Sequence, residues 1–235
     1  SELDIFPFTR FIWRSAEMQE RWADKIVDIN RLHGIAEYEM VKQKKRKAGT
    51  YHIAPFSYDF EFERLQRDGM IWLPIQRTKS YNGFSHKHFP TTPNDPDSSV
   101  YGVIATNMED AELFRKASSY RSNEPTDHVV IGDLLGFPRC CSDFFTNTWS
   151  NYYDPIWQAA LATDDAEIVT DAHIRVRGDY RIYQHLRYDG LRVTSHLPCS
   201  FSCKESSEVA KVWIEVMESI DKETTKGLLE LMAMP

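Results

Sequence analysis

The sequence predicts an α+β fold with a helix-rich C-terminal half and a smaller N-terminal part that contains strands. Apolar residues recur at helical spacing over Ser15–Met40 and again in the last two segments of the chain, and aromatic residues alternate with polar ones within Tyr51–Pro74. The 235 residues are enough to bury a core, as one large domain or two small ones, and we expect a single domain. Within it, we expect residues 1–99 to supply a helix, short strands and a long loop, and residues 100–235 to form a cysteine-rich metal-binding core.

The N-terminal elements follow from local patterns. Ser15 is a suitable N-cap for the first helix, which ends in the basic run Lys42–Lys47 with Gly49 as its stop. The alternating aromatic residues of Tyr51–Pro74 predict short strands and turns. The segment Thr78–Ser99 is rich in proline, serine, asparagine and aspartate, which predicts a long loop.

The C-terminal part is predicted to alternate short strands with capped helices. The expected elements are a strand over Val100–Ala105, a helix from Asn107 to Ser119, a helix that starts at Pro138, a helix after Asp154, a strand over Leu191–Thr194, and two closing helices over Lys204–Ile220 and Thr224–Met232.

Composition excludes several classes of protein. A net charge of −7 argues against a broad nucleic-acid-binding face, and 13% aromatic residues argue against disorder. No apolar run approaches the ~20 residues of a membrane-spanning helix, and Ser1–Arg10 lacks the features of a secretory signal. We therefore expect a cytoplasmic protein without a membrane partner. Four cysteines are too few for a disulfide scaffold, and in the cytosol such a group is more often metal-binding or catalytic.

The cysteines fall in two compact motifs. In the first, Leu134–Phe145, Pro138 suits a helix start and places Cys140 and Cys141 in the first helical turn. The second motif has the sequence SHLPCSFSCKES and begins at Ser195.

In the second motif, Ser202 and Glu205 have the spacing of a capping box. This predicts Cys203 at the first helical position and Cys199 in the preceding turn. Both cysteine pairs are thus expected at helix N-termini, where the positive end of the helix dipole favours thiolates. Two such ends brought together would stabilise one anionic centre.

Three interpretations of Cys140, Cys141, Cys199 and Cys203 follow. Four thiolates satisfy a [4Fe–4S] iron–sulfur cluster or a tetrahedral zinc ion. Consecutive helical side chains diverge by about 100°, which suits a large cluster better than one small ion. We therefore favour the iron–sulfur cluster, with zinc and a metal-free set of reactive thiols as alternatives.

The two motifs resemble those of an uncharacterised prokaryotic family that pairs LG(F/Y)PxCC with HxPCSFxCxxS. The matching blocks here are Gly132–Cys141 and Leu191–Ser206, and the resemblance covers Val100–Ala210. It implies that the two cysteine pairs act together, and it implies no activity.

Four neighbouring side chains are candidates for proton transfer: His196, His185, Tyr183 and Asp143. His196 is also a candidate metal ligand, or a histidine with a structural role. Arg139 and Lys204 each flank a cysteine and are candidates for binding an anionic substrate, although exposed charges at such positions are commonly only surface charges.

These observations predict a cytosolic iron–sulfur enzyme, a lyase or a transferase. It would use non-redox Lewis-acid chemistry or sulfur transfer on a small-molecule or nucleotide-like substrate. The basic run Lys42–Lys47 is a candidate nucleic-acid contact. The alternatives are a zinc-stabilised binding module and a metal-free enzyme with a cysteine nucleophile.

Overall fold

The computed structural model describes residues 1–7, 13, 15–81, 84–92, 94, 95, 97–119 and 123–234. The fold is mixed α+β, with most strands in the N-terminal part and a helix-rich C-terminal half, which confirms the predicted class. The helices are α1 (Ala16–Lys42), α2 (Tyr58–Arg67), α3 (Met108–Ala117), α4 (His128–Leu134), α5 (Arg139–Trp149), α6 (Pro155–Leu161), α7 (Lys204–Ile220) and α8 (Lys222–Ala233). The strands are β1 (Glu2–Ile5), β2 (Ala48–Ile53), β3 (Ile71–Tyr81), β4 (Phe84–Pro90), β5 (Ser99–Ala105), β6 (Glu167–Thr170) and β7 (His173–Arg177).

The chain divides into two compact units. The central unit is Glu37–Gly136, and the terminal unit combines Ser1–Ala36 with Phe137–Pro235. Helix α1 contributes residues to both units. None of the helices in the described part of the chain combines the length and apolar character that a membrane-crossing segment needs.

The central unit is built on an antiparallel sheet with strand order β2-β5-β3-β4. Successive residues of β5 point to opposite faces, so Ile104 packs with Leu65 of α2 on one face. Val103 packs with Phe114 of α3 and Leu134 of α4 on the other face. Helices therefore cover both faces of the sheet.

The end of α1 differs from the prediction. Ser15 does cap α1, because its Oγ accepts a hydrogen bond from the Met18 N–H at 3.2 Å. The helix, however, ends at Lys42, and Lys44 adopts the left-handed conformation with φ 57°. Gly49 is not the stop. It lies in β2, where a Cβ would approach the Val41 side chain to 2.9 Å, so the glycine is needed for packing.

Two further N-terminal predictions are wrong. Tyr58–Arg67 is helix α2, not a strand, because Tyr58, Phe62 and Leu65 also have helical spacing and lie on one face. The segment Thr78–Ser99 is not one long loop. Strand β3 continues into it and β4 pairs with β3 as an edge strand, where polar residues are tolerated.

The terminal unit contains a second antiparallel sheet, with order β1-β7-β6. Leu3 pairs with Val176 and Ile5 with Ile174, and these four side chains are buried. On the outer face, Arg177 Nε donates to Glu2 at 2.9 Å. The sheet and helices α5–α8 provide the framework of the cysteine motifs.

The C-terminal helices are largely as predicted. Asn107 caps α3, and α7 covers the predicted Lys204–Ile220. Asp154 caps α6. The predicted strand over Leu191–Thr194 is wrong. Its alternating apolar residues are fully buried in irregular chain, where the Leu191 N–H bonds to the Leu186 carbonyl and not to a neighbouring strand.

Candidate metal centre

Helix α5 presents the first cysteine pair at its N-terminus. Pro138 occupies the N-cap position, and its carbonyl accepts hydrogen bonds from the N–H groups of Cys141 and Ser142. Cys140 is exposed, whereas Cys141 is only 1% exposed. Although consecutive helical residues point in different directions, the two Sγ atoms converge to 3.8 Å. The expected divergence therefore does not keep these adjacent cysteines from sharing one small centre.

The second cysteine pair lies in a turn that leads into α7. Cys203, not Ser202, is the N-cap of this helix, and its Sγ accepts a hydrogen bond from the Ser206 N–H at 3.4 Å. The predicted capping box is wrong by one residue. The Ser202 hydroxyl instead accepts a hydrogen bond from the Asp164 N–H at 3.3 Å.

Phe201 anchors this turn within the terminal unit. Its side chain is fully buried and packs edge-on against Tyr183, and its N–H donates to Thr163 Oγ1 at 3.0 Å. Its carbonyl accepts a hydrogen bond from the Asp179 N–H at 3.0 Å. The backbone between Cys199 and Cys203 is thus held on both sides of Phe201.

The four cysteines meet at one point. All four Sγ atoms lie within 4.8 Å of one another, although the cysteines come from two motifs that are 58 residues apart. The Sγ atom of Cys203 lies 3.8 Å from that of Cys140 and 3.8 Å from that of Cys141. This cluster could hold a metal ion, as the sequence predicts.

Ser206 connects the cluster to a buried histidine. Its Oγ lies 3.1 Å from Cys141 Sγ and 2.8 Å from His196 Nε2. Both Ser206 and His196 are buried, and the His196 ring also contacts Phe137 at 5.3 Å between ring centroids. His196 thus reaches the cluster through a hydroxyl. Sequence reasoning missed Ser206, although it is the last residue of the second motif.

The thiols differ in acidity. Hydrogen bonds from Cys141 and Cys199, and then from Ser206, lower the pKa of Cys203 despite its burial. The hydrogen bond from Cys141 acts to lower the pKa of Cys199, but the bond to Cys203, burial and the charge of Cys203 together raise it to about 12.

The pKa of the first pair is raised as well. For Cys141 the causes are its hydrogen bonds to Cys199 and Cys203 and then burial. For Cys140 they are burial and then the nearby charge of Cys203. Without an ion, Cys203 is therefore the one cysteine of the four whose pKa is lowered. A metal ion that binds to the cluster must displace the remaining thiol protons. The affinity for the metal therefore depends on pH.

The other candidate residues lie in varied surroundings. The Tyr183 hydroxyl is committed to the backbone, because it donates to the Ser1 carbonyl and accepts from the Gly178 N–H. His185 lies edge-on to Tyr183, and burial lowers its pKa to about 4. No hydrogen bond among the described residues joins His185 or Tyr183 to a cysteine.

The charged candidates lie at the two helix starts. Arg139 and Asp143 form an exposed ion pair at 2.9 Å along α5. Lys204 is exposed at the first position of α7. Glu205, which sequence reasoning assigned only to capping, has Oε2 3.6 Å from Cys203 Sγ.

Fewer side chains of the basic run Lys42–Lys47 are available to a partner than the sequence indicates. Arg46 is buried, with Nε bonded to the Ala48 carbonyl at 2.7 Å and Nη1 3.4 Å from Glu37. Lys42 forms an ion pair with Asp68 at 3.1 Å. Three exposed lysines remain, at positions 44, 45 and 47.

Comparisons with protein-family models, with curated proteins and with solved structures found no match to this chain. The resemblance of the two cysteine motifs to a prokaryotic family stays a prediction, and the chemistry of the site is argued from its geometry.

Proposed function

We propose that the four cysteines bind one metal ion in a tetrahedral tetrathiolate site, and that the ion is Zn²⁺. The observation that supports this most is the spacing of the sulfur atoms. Three Sγ–Sγ distances are 3.8 Å. A tetrahedron with metal–sulfur bonds of about 2.3 Å has edges of about 3.8 Å, so these atoms need little movement to bind one ion.

The same spacing favours a single ion over the [4Fe–4S] cluster that the sequence analysis preferred. In such a cluster each thiolate binds a different iron, which separates the cysteine sulfurs by roughly 6 Å. Here all four sulfurs lie within 4.8 Å of one another. A single Fe²⁺ would fit the same tetrahedron, but nitrogen and sulfur sites generally bind Zn²⁺ more tightly.

The bound ion would connect the N-terminus of α5 to the turn before α7. Because these segments are far apart in sequence, four metal–sulfur bonds would stabilise the terminal unit, as in other small metal-dependent folds. A metal-free nucleophile is less well supported. The thiol with the lowered pKa is Cys203, and only 6% of this residue is exposed to an incoming substrate.

The test is a metal and sulfide analysis with a visible spectrum, on protein purified without oxygen. We expect one zinc per chain, no acid-labile sulfide and no colour. Iron with sulfide and a broad brown absorbance would establish the cluster and overturn the single-ion proposal. A protein that binds neither metal would leave only the metal-free thiol interpretation.

Cysteine variants test the ligand set. Cys199→Ala and Cys203→Ala should each lower zinc affinity by at least tenfold, because each removes one of four bonds to the ion. Ser202→Ala is the matched control, since Ser202 lies in the same turn but bonds to Asp164. Zinc affinity equal to that of the unsubstituted chain in both cysteine variants, measured by competition with a chelator, would overturn the four-ligand site.

A small-molecule or nucleotide-like substrate and a nucleic-acid contact through Lys42–Lys47 remain predictions. The second of these now involves three exposed lysines, since Arg46 is buried and Lys42 is paired.

A further inference from the structure

The four sulfurs differ in their access to solvent. Cys140 is the exposed member of the cluster, and Cys199 is partly exposed. Cys141 and Cys203 are only 1% and 6% exposed. A molecule that approaches the centre from solvent therefore meets Cys140 first.

The sulfurs also differ in the hydrogen bonds they accept. Cys141 Sγ accepts from the Cys199 N–H at 3.4 Å and contacts the Ser206 hydroxyl, and Cys203 Sγ accepts from the Ser206 N–H. Among the described residues, the hydrogen-bond partners of Cys140 Sγ are other cysteine sulfurs alone. Donors withdraw charge from a metal-bound thiolate and make it less nucleophilic, so reactivity concentrates on Cys140.

The cation next to Cys140 in the chain, Arg139, already has a carboxylate partner. A divalent ion with four thiolates has about two negative charges in excess. The adjacent Arg139 guanidinium is bonded to Asp143 at 2.9 Å. The exposed thiolate is thus both accessible and electron-rich.

Building on the proposed zinc site, we propose that metal-bound Cys140 is a nucleophile that accepts an alkyl group from a soft alkyl electrophile. Suitable donors have an alkyl carbon on a good leaving group, such as an alkylated phosphate, a sulfonium or an alkyl halide. The Cys140 sulfur attacks that carbon with its electron pair, and a carbon–sulfur bond forms. The bond from carbon to the leaving group breaks, and the leaving group departs with the two electrons of that broken bond. No proton is transferred and no outside oxidant or reductant is needed.

The experiment compares alkylation of the full chain with and without zinc, using methyl iodide as the probe at pH 7. Zinc content is measured first, and the modified cysteine is identified by peptide mass spectrometry over time. We expect methylation at Cys140, about tenfold or more faster with zinc than after chelator treatment. An ordinary thiol is only a few per cent ionised at this pH, whereas the zinc-bound form is fully ionised.

At a purely structural site, zinc would slow the methylation of Cys140, because an ion that only stabilises the fold protects its cysteines from alkylation. Slower methylation of Cys140 in the zinc-loaded protein, or equal rates at Cys140 and Cys199, would overturn this inference while the zinc site stands. A chain that binds no zinc overturns the proposed function and this inference together.

Cys140→Ser provides a second check. It retains three thiolates, so we expect it to bind zinc and to lose the rapid methylation. Since mapping in the unsubstituted chain identifies the reactive cysteine directly, the inference remains falsifiable even if this variant folds poorly. Rapid methylation that persists in zinc-loaded Cys140→Ser would contradict it.

Discussion

At the scale of single residues, Ser206 determines how the cluster is connected to the rest of the terminal unit. Its N–H bonds to Cys203, and its hydroxyl contacts both Cys141 and His196. If the hydroxyl donates to a metal-bound thiolate, its oxygen accepts from His196 Nε2–H. This arrangement assigns the imidazole proton to Nε2 and gives His196 a positioning role.

We predict that Ser206→Ala weakens zinc binding by about 10- to 100-fold, the usual effect of removing a group that bonds to a metal ligand. The free energy of unfolding should fall by about 1–3 kcal/mol as well, since His196 Nε2 loses its buried partner. Competition with a chelator and denaturant unfolding measure the two effects. Ser219→Ala, on the same helix but bonded to the Val216 carbonyl, is the control. Equal zinc affinity in both variants would contradict a role for the hydroxyl.

His185 gives the protein a pH dependence of known sign. Burial lowers its pKa to about 4, below the value of about 6.5 expected in an unfolded chain. Its stabilising contribution is therefore complete above pH 6.5 and is lost as the pH falls towards 4. His185→Gln should remove this pH-dependent part of the free energy of unfolding, which is about 3 kcal/mol at most. Unfolding of both proteins in urea from pH 7 to 4, at equal metal content, checks this. Parallel pH profiles would show that His185 does not titrate differently in the folded state.

At the scale of elements, the turn between Cys199 and Cys203 depends on its close packing against Gly178. A Cβ at Gly178 would overlap the Phe201 carbonyl, which also accepts the Asp179 N–H. The turn therefore has little freedom to shift. Its position determines where Cys199 and Cys203 lie relative to α5.

We predict that Gly178→Ala lowers the free energy of unfolding by about 1–3 kcal/mol, as overpacking usually does, and reduces zinc affinity because the turn moves. Gly34→Ala is the matched control. Gly34 lies within α1 with nothing near the added methyl group, so alanine should stabilise by up to about 1 kcal/mol. Thermal unfolding and zinc competition distinguish the two. An unchanged zinc affinity in Gly178→Ala would show that the turn adapts.

Element prediction worked where the signal was local. Ser15 and Asn107 bind the N–H groups they were expected to cap, and a helix starts after Pro138. The prediction of helices and strands failed where tertiary contacts determine which structure a segment adopts. Tyr58–Arg67 satisfies both a strand and a helix pattern, and Leu191–Thr194 is buried without being a strand.

The candidate site was predictable in part for the same reason. The motifs and their helix starts are local, and they indicated all four cysteines. Capping by Cys203 in place of Ser202 depends on Phe201 and Thr163, which hold the turn through contacts distant in sequence. The sulfurs of Cys140 and Cys141 likewise meet Cys203 of the opposing motif, a contact that no local pattern encodes.

At the scale of the whole molecule, the proposed metal and the central sheet belong to different units. All four cysteines lie in the terminal unit, whereas the sheet β2-β5-β3-β4 lies within residues 37–136. The sheet has helices on both faces and its own buried core. Its stability should therefore depend little on the ion.

We predict that removal of zinc destabilises the terminal unit selectively. A ligand at 100 times its Kd stabilises the folded state by about 2.7 kcal/mol, so stripping should lower the melting temperature. Amide hydrogen exchange should accelerate most in the first turns of α5 and α7, which present the cysteines. Amides of β2, β3 and β5 should keep their protection. Added zinc should restore the protection of the amides in α5 and α7. An equal rise in exchange across both units would mean that the ion stabilises the whole chain, and no change anywhere would mean that it stabilises neither unit.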